Sequence, residues 1–148
     1  MPEQTRDASH APDTECVFCQ IIDGELPAYR VYENGAAVAF LDRRPLFHGH
    51  TLVVARSHVE TVTDLPEESV GAYFTAVRHV TGAVERGMEA VGSFVAANNR
   101  VSQSVPHLHF HVVPRTPKDG LRGFFWPRTE YEDETQARKV AARIRAEV

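Results

Sequence analysis

Three histidines stand at alternate positions in the run Pro106-His107-Leu108-His109-Phe110-His111-Val112-Val113-Pro114. Imidazole is both a base and a donor near neutral pH, so such a set can bind metal, move protons or attack phosphorus. Alternation with Leu108, Phe110 and Val112 is the period of a strand that rests one face on a core. Same-face side chains on a strand lie about 7 Å apart, so His107, His109 and His111 form one row. Just upstream, Ser102, Gln103 and Ser104 offer hydroxyl and amide donors suited to phosphate oxygens. A three-histidine metal centre would draw carboxylates around it, and residues 98–113 contain none. On these residues alone the row serves either a metal or nucleophilic chemistry at phosphorus.

The two cysteines, Cys16 and Cys19, form a Cys-x-x-Cys pair. In a reducing compartment that spacing reads as half of a zinc site or as a redox pair, and it needs two further ligands. The 148 residues are 43% hydrophobic and carry a net charge of -4, which fits one domain with its own core and no basic nucleic-acid surface. No run approaches a membrane span. Residues 1–15 are polar and lack the apolar stretch of a secretory signal, so a mobile tail and a cytoplasmic location are expected.

The positioning elements follow from the periodicities. Residues 17–22 read as a short helix ending near Gly24, and residues 29–32 and 36–41 as two strands joined at Asn34-Gly35. Residues 51–55 make a third strand, 94–97 a fourth, and the histidine run a fifth beside it. Between them, Val70, Phe74, Val77, Thr81, Val84, Met88 and Val91 mark the core face of a long helix over residues 65–91. Asp64 is its expected N-cap and Gly92 its stop. His79 falls within it as a surface or packing residue. A terminal helix is expected in residues 130–148, with Glu134 and Arg138 at i,i+4 and Val140 and Ile144 as a thin apolar stripe. The aromatic cluster Phe124-Phe125-Trp126 precedes it. These elements make an α+β domain.

The run His107-Leu108-His109-Phe110-His111-Val112-Val113 resembles the signature of the histidine triad (HIT) family of nucleotide hydrolases and transferases. Cys16-Val17-Phe18-Cys19, Gly24-Glu25-Leu26-Pro27, Val38-Ala39-Phe40-Leu41-Asp42 and Gly49-His50-Thr51-Leu52-Val53-Val54 resemble further blocks of that family, so the likeness covers roughly residues 16–115. The resemblance implies a five-stranded antiparallel sheet with a long helix, in a homodimer whose two sheets become continuous. It divides the chain into a tail (1–15), a HIT domain (16–116) and a C-terminal extension (117–148) that either covers the cleft, extends the dimer interface or packs at an edge.

The same resemblance implies chemistry. His109 would attack the α-phosphate of a purine nucleotide conjugate and form a nucleotidyl-histidine, which water then releases; no cofactor enters that step. His111 and Gln103 would contact the phosphate, Ser104 would sit by the leaving group, His50 would support the triad, and the carbonyl of His107 would hold the tautomer of His109. Phe18, Ile21, Phe40 and Arg43 would enclose the base, Asp42 would accept from the ribose hydroxyls, and Asn98 or Asn99 would touch the nucleotide. Cys16, Cys19, His58 and His107 would hold a structural zinc. Two departures stand out: Ser102 replaces a glycine common in the family, and Arg56 replaces a lysine in Ala55-Arg56-Ser57-His58. A zinc-dependent hydrolase that uses the histidine row as ligands, and a regulatory nucleotide-binding module with incidental turnover, are the alternatives.

Overall fold

The computed structural model describes residues 15–122 and 128–148. The expected tail lies almost wholly outside these residues, as does the Phe124-Phe125-Trp126 cluster. Helix α1 (Val17–Ile22) leads into strands β1 (Arg30–Glu33), β2 (Ala37–Leu41) and β3 (Thr51–Ala55). Helix α2 (Glu67–Gly87) crosses over to β4 (Gly92–Ala96), followed by β5 (His109–Arg115) and helix α3 (Glu134–Arg145). The strands form one sheet in the order β1-β2-β3-β5-β4, every neighbour antiparallel. No helix among the described residues is long and apolar enough to cross a membrane.

The central strands are buried on both faces, and their alternation divides two cores. Ala37 and Ala39 of β2, Val53 and Ala55 of β3, and Leu108 and Val112 pack under α2. Val38, Phe40, Leu52 and Val54 point the other way and pack against Cys16, Phe18, Cys19 and Ile21 of the α1 segment. Leu52 pairs with His111 and Val54 with His109, so both histidines share the α1 face. That face is a covered cleft, not the open side of a half-buried strand.

Three local expectations are corrected. Asp64 does not cap α2: it closes a 3-10 turn at Val62–Asp64 in a capping box with Thr61, whose hydroxyl and amide both donate to its carboxylate. Pro66 takes the N-cap position of α2. The helix ends at Gly87, with Glu89 turning at φ 52°, and Gly92 opens β4 instead of stopping the helix. The buried stripe of α2 is Tyr73, Ala76, Val77, Val80 and Val84, while Val70, Phe74, Met88 and Val91 are exposed. The apolar residues of α2 form two adjacent stripes, and the sheet takes the one containing Tyr73, whose hydroxyl donates to the Val53 carbonyl at 2.7 Å. At the first hairpin, Asn34 closes the turn through its side chain, whose Oδ1 accepts from the amides of Ala36 and Ala37. The Asn34 carbonyl is thereby left for Arg56, whose Nε donates to it at 2.7 Å.

Candidate functional site

His109 is 5% exposed, and its ring Nδ1 donates to the backbone carbonyl of His107 at 2.7 Å. A carbonyl only accepts, so the proton sits on Nδ1 and Nε2 keeps its lone pair. Burial lowers the pKa of His109, partly opposed by that hydrogen bond and by the Asp42 carboxylate, so the ring is neutral at pH 7.

Its neighbours are fixed by the same kind of donor logic. The Leu46 amide donates to His50 Nδ1 at 3.0 Å, so the proton of a neutral His50 is on Nε2. That Nε2 lies 3.0 Å from His111 Nδ1 and 3.7 Å from an Asp42 carboxylate oxygen. His50 therefore donates to His111, which leaves His111 Nδ1 as acceptor and its Nε2–H as a free donor. Burial, with the neighbouring His109 and His50 rings, pushes the His111 pKa down to about 4, against the raising effect of Asp42. His50 is lowered too, by burial first. Asp42, His50 and His111 lie close enough to share a cation, but the Leu46 amide occupies the lone pair that would leave Nε2 free to bind one.

His109 and His111, ring centroids 5.0 Å apart, line a cleft of about 240 Å³. Phe18, Ile21, Phe40, Asp42, Arg43 and Ser104 line it as well. Phe18 sets its ring edge-on to His109 at 5.0 Å and to Phe40 at 5.7 Å. Tyr29, which sequence reasoning passed over, also stands on the cleft wall, 75% exposed; an aromatic residue ahead of an edge strand carries no local signal of this. Helix α1 supplies Phe18 and Ile21, and Arg30 donates to the carbonyls of Ile21 and Ile22 at its end. The pairing irregularity between Arg30 and Tyr32 keeps Arg30 opposite Phe40 on this face, although Tyr32 packs towards α2.

Other residues expected at the site stand differently. Gln103 donates from Nε2 to the Glu60 carbonyl at 2.7 Å and accepts through Oε1 from the Arg100 amide at 2.7 Å. Both ends of its amide thus hold the 98–105 loop. Asn99 accepts from the Val62 amide, and Asn98 donates to the Ser102 carbonyl. Ser102 adopts φ 60° and Arg100 φ 67°, the left-handed region in which a glycine is unstrained. Arg56 ties the β1–β2 hairpin through Asn34 and, at 2.9 Å, Glu33. His79 stacks on Tyr32.

The ring of His107 turns away from the cleft. His107 precedes β5, is fully buried, and donates from Nε2 to the Ala55 carbonyl at 2.6 Å. Its Nδ1 therefore carries a lone pair, and it lies 3.4 Å from Cys16 Sγ and 3.6 Å from Cys19 Sγ. His58 Nδ1 lies 3.2 Å from Cys19 Sγ. The four ligand atoms fall within 4.8 Å of one another. A tetrahedral zinc at ordinary bond lengths holds sulfur and nitrogen about 3.5 Å apart, so donor set, spacing and His107 tautomer all suit that ion. Burial lowers the His107 pKa to about 4, which keeps the ring in its ligating form.

Comparison with known proteins agrees with this geometry. Residues 23–118 match the HIT domain family. The chain is 38% identical to Protein hit of Bacillus subtilis over 120 residues, 80% of this chain and 82% of that one. It is 34% identical to the adenosine 5′-monophosphoramidase of Schizosaccharomyces pombe over 113 residues, 76% of this chain and 83% of that one. Among solved structures, a HIT family protein from B. subtilis superposes with a TM-score of 0.82 at 35% identity, covering 90% of this chain and 96% of that one. A Zn-bound histidine triad family protein from Mycobacterium smegmatis gives 0.67 at 34% identity, covering 90% and 97%. A central strand that presents alternate histidines to a cleft under α1, in a chain with these relatives, marks the protein as a member of the HIT family.

Proposed function

We propose that the protein is a nucleotide hydrolase or nucleotidyl transferase that cleaves purine nucleotide conjugates at the α-phosphate through a nucleotidyl-histidine. The observation that carries this reading is the fixed tautomer of His109: Nδ1–H held by the His107 carbonyl, Nε2 basic, in a cleft walled by Phe18, Ile21 and Phe40. His109 Nε2 attacks phosphorus, an N–P bond forms, and the bond to the leaving group breaks. Water then attacks the same phosphorus and restores the free imidazole. The Nε2–H of His111 is a neutral donor for a phosphate oxygen, and Asp42 is an acceptor for ribose hydroxyls. Ser104, on the cleft wall, stands at the leaving-group side. Gln103, bonded to Glu60 and Arg100, keeps a second Nε2–H as a donor for a phosphate oxygen. The adenosine 5′-monophosphoramidase activity of the S. pombe relative supports a phosphoramidate as one substrate.

A structural zinc held by Cys16, Cys19, His58 and His107 belongs to the same proposal, supported by the ligand geometry and by the Zn-bound relative. It would fasten α1 to the segment entering β5 and take no part in the chemical step. The homodimer is proposed on β4, the last strand of the sheet among the described residues, and on Phe74, exposed on α2 and edge-on to Phe110 of β5. A cytoplasmic setting fits two free cysteines.

The test is release of AMP from adenosine 5′-phosphoramidate by wild type and by His109→Ala, each with and without a chelator at a temperature where both stay folded. Turnover that needs His109 and survives chelation supports the reading. Turnover lost on chelation with the fold intact points to a metallohydrolase, and tight AMP binding without turnover of any conjugate points to a binding module.

A further inference from the structure

The Cys/His cluster and the cleft share two structural members. The first is His107, whose ring faces Cys16 and Cys19 while its own carbonyl accepts the Nδ1 proton of His109. Both ring nitrogens are anchored, Nε2 on Ala55 and Nδ1 on the sulfurs, and the peptide that carries the carbonyl is held through the Leu108 amide on Val59. The second is α1. Cys16 is its N-cap residue and Cys19 lies within it, while Phe18 and Ile21 form the cleft wall. A six-residue helix with no side-chain cap does not hold itself together. Burial of Phe18 and Ile21 against the sheet holds it along its length, Arg30 holds its C-terminal end, and the cysteines hold its N-terminal end. Phe18, between the two cysteines, touches the rings of both His107 and His109.

We propose that occupancy of the Cys16–Cys19–His58–His107 site and nucleotide binding in the cleft are thermodynamically coupled, with His107 as a positioning residue for the nucleophile and α1 as the second link. The proposal rests on the nucleotide reading of the cleft. A metal drawing the two sulfurs onto His107 Nδ1 fixes α1 against β5, and with it the Phe18 wall and the His109 tautomer. A nucleotide seated against Phe18 fixes the same parts from the other side. Each ligand then lowers the cost of ordering that the other meets, and linkage requires the two effects to be equal. His58 contacts Cys19 and sets its ring edge-on to that of His107 at 4.8 Å, so it belongs to the metal side of both links.

The experiment measures zinc affinity by competition with a chromophoric chelator, without and with saturating AMP, and AMP affinity by calorimetry on zinc-loaded and zinc-free protein. Far-UV circular dichroism checks that the zinc-free chain keeps its fold. Where it does not, both titrations are made in a stabilising osmolyte at a concentration that restores the zinc-free fold. The expected result is a tightening of zinc by about fivefold or more in the presence of AMP, with AMP tightened by the same factor when zinc is bound. The ring-nitrogen NMR signals of His109 should also pass from a single Nδ1–H tautomer to a mixture when zinc is removed. AMP binding that leaves zinc affinity unchanged overturns the coupling while sparing the nucleotide reading. Absence of AMP binding to either form overturns both.

Discussion

At the scale of single residues, the chemistry depends on where three ring protons sit. The His107 carbonyl sets His109, and the Leu46 amide sets His50, which sets His111. Burial lowers the pKa of all three rings, that of His111 to about 4, so all three are neutral at pH 7. The acid limb of turnover should therefore lie below pH 6.5, the ordinary histidine value, and a pH–rate profile checks this. Stability moves differently. The unfolded His111 protonates near its ordinary 6.5, whereas the folded one resists until about 4. The unfolded state thus binds more protons between those values, so stability present above pH 6.5 is lost as pH falls towards 4. Denaturant midpoints at pH 7.5, 6 and 5 should decline in that order.

Ser102 gives a residue-level prediction of opposite sign. It occupies the left-handed region at φ 60°, which costs a non-glycine residue roughly 1 kcal/mol. Ser102→Gly should leave stability unchanged or raise it by up to about 0.5 kcal/mol, because the relieved strain outweighs the added chain entropy by little. Urea midpoints resolve that difference. The serine was legible in the sequence as a departure from the family. That the backbone still turns as though glycine were there was not, since φ at one position depends on the bonds of the whole 98–105 loop.

At the scale of elements, Gly49 shows how a loop aims a side chain. It turns at φ 93°, and a Cβ there would meet Met88 Cγ at 2.5 Å. Gly49→Ala should cost about 2 kcal/mol and shift His50, the next residue, off His111; thermal unfolding and the phosphoramidate rate should fall together. Tyr73→Phe removes a buried hydroxyl that donates to Val53 and should cost about 1 kcal/mol, with the rate unchanged at a temperature where the protein is folded. The strands and the pairing of β4 with β5 were legible because period-2 alternation is local, whereas the pairing of β3 with β5 across α2 was not. The face of α2 was not. Counting aliphatic residues favours Val70, Phe74 and Met88, whereas the sheet selects Tyr73 and small Ala76, whose burial depends on the shape of the opposing Ala37 and Ala39 surface. Asp64 was misjudged for a similar reason: Thr61 lies three residues before it and offers a closer turn to close than the helix beyond Pro66.

At the scale of the whole molecule, two cores on either side of one sheet separate stability from chemistry. The α2 side is built mainly of apolar side chains. The α1 side carries the cysteines, the cleft wall and the histidines. Cys16 and His107 are 91 residues apart in the chain, yet their ligand atoms meet at 3.4 Å. Nothing local in the sequence reports that meeting, and family resemblance supplied it. The exposure of Phe74 on α2 and the terminal place of β4 in the sheet lead to a further prediction: sedimentation should show a dimer, and Phe74→Asp should shift it towards monomer. Helix α3 has no buried residue, and none of its residues lines the cleft.

The most direct test of the account is the stereochemical course at phosphorus. A P-chiral phosphorothioate analogue of adenosine 5′-phosphoramidate is hydrolysed in isotopically labelled water, and the configuration of the product is read by phosphorus NMR. Two in-line displacements, first by His109 and then by water, give overall retention, and the account predicts retention. Inversion would mean a single attack by water, and would contradict a nucleotidyl-histidine on His109.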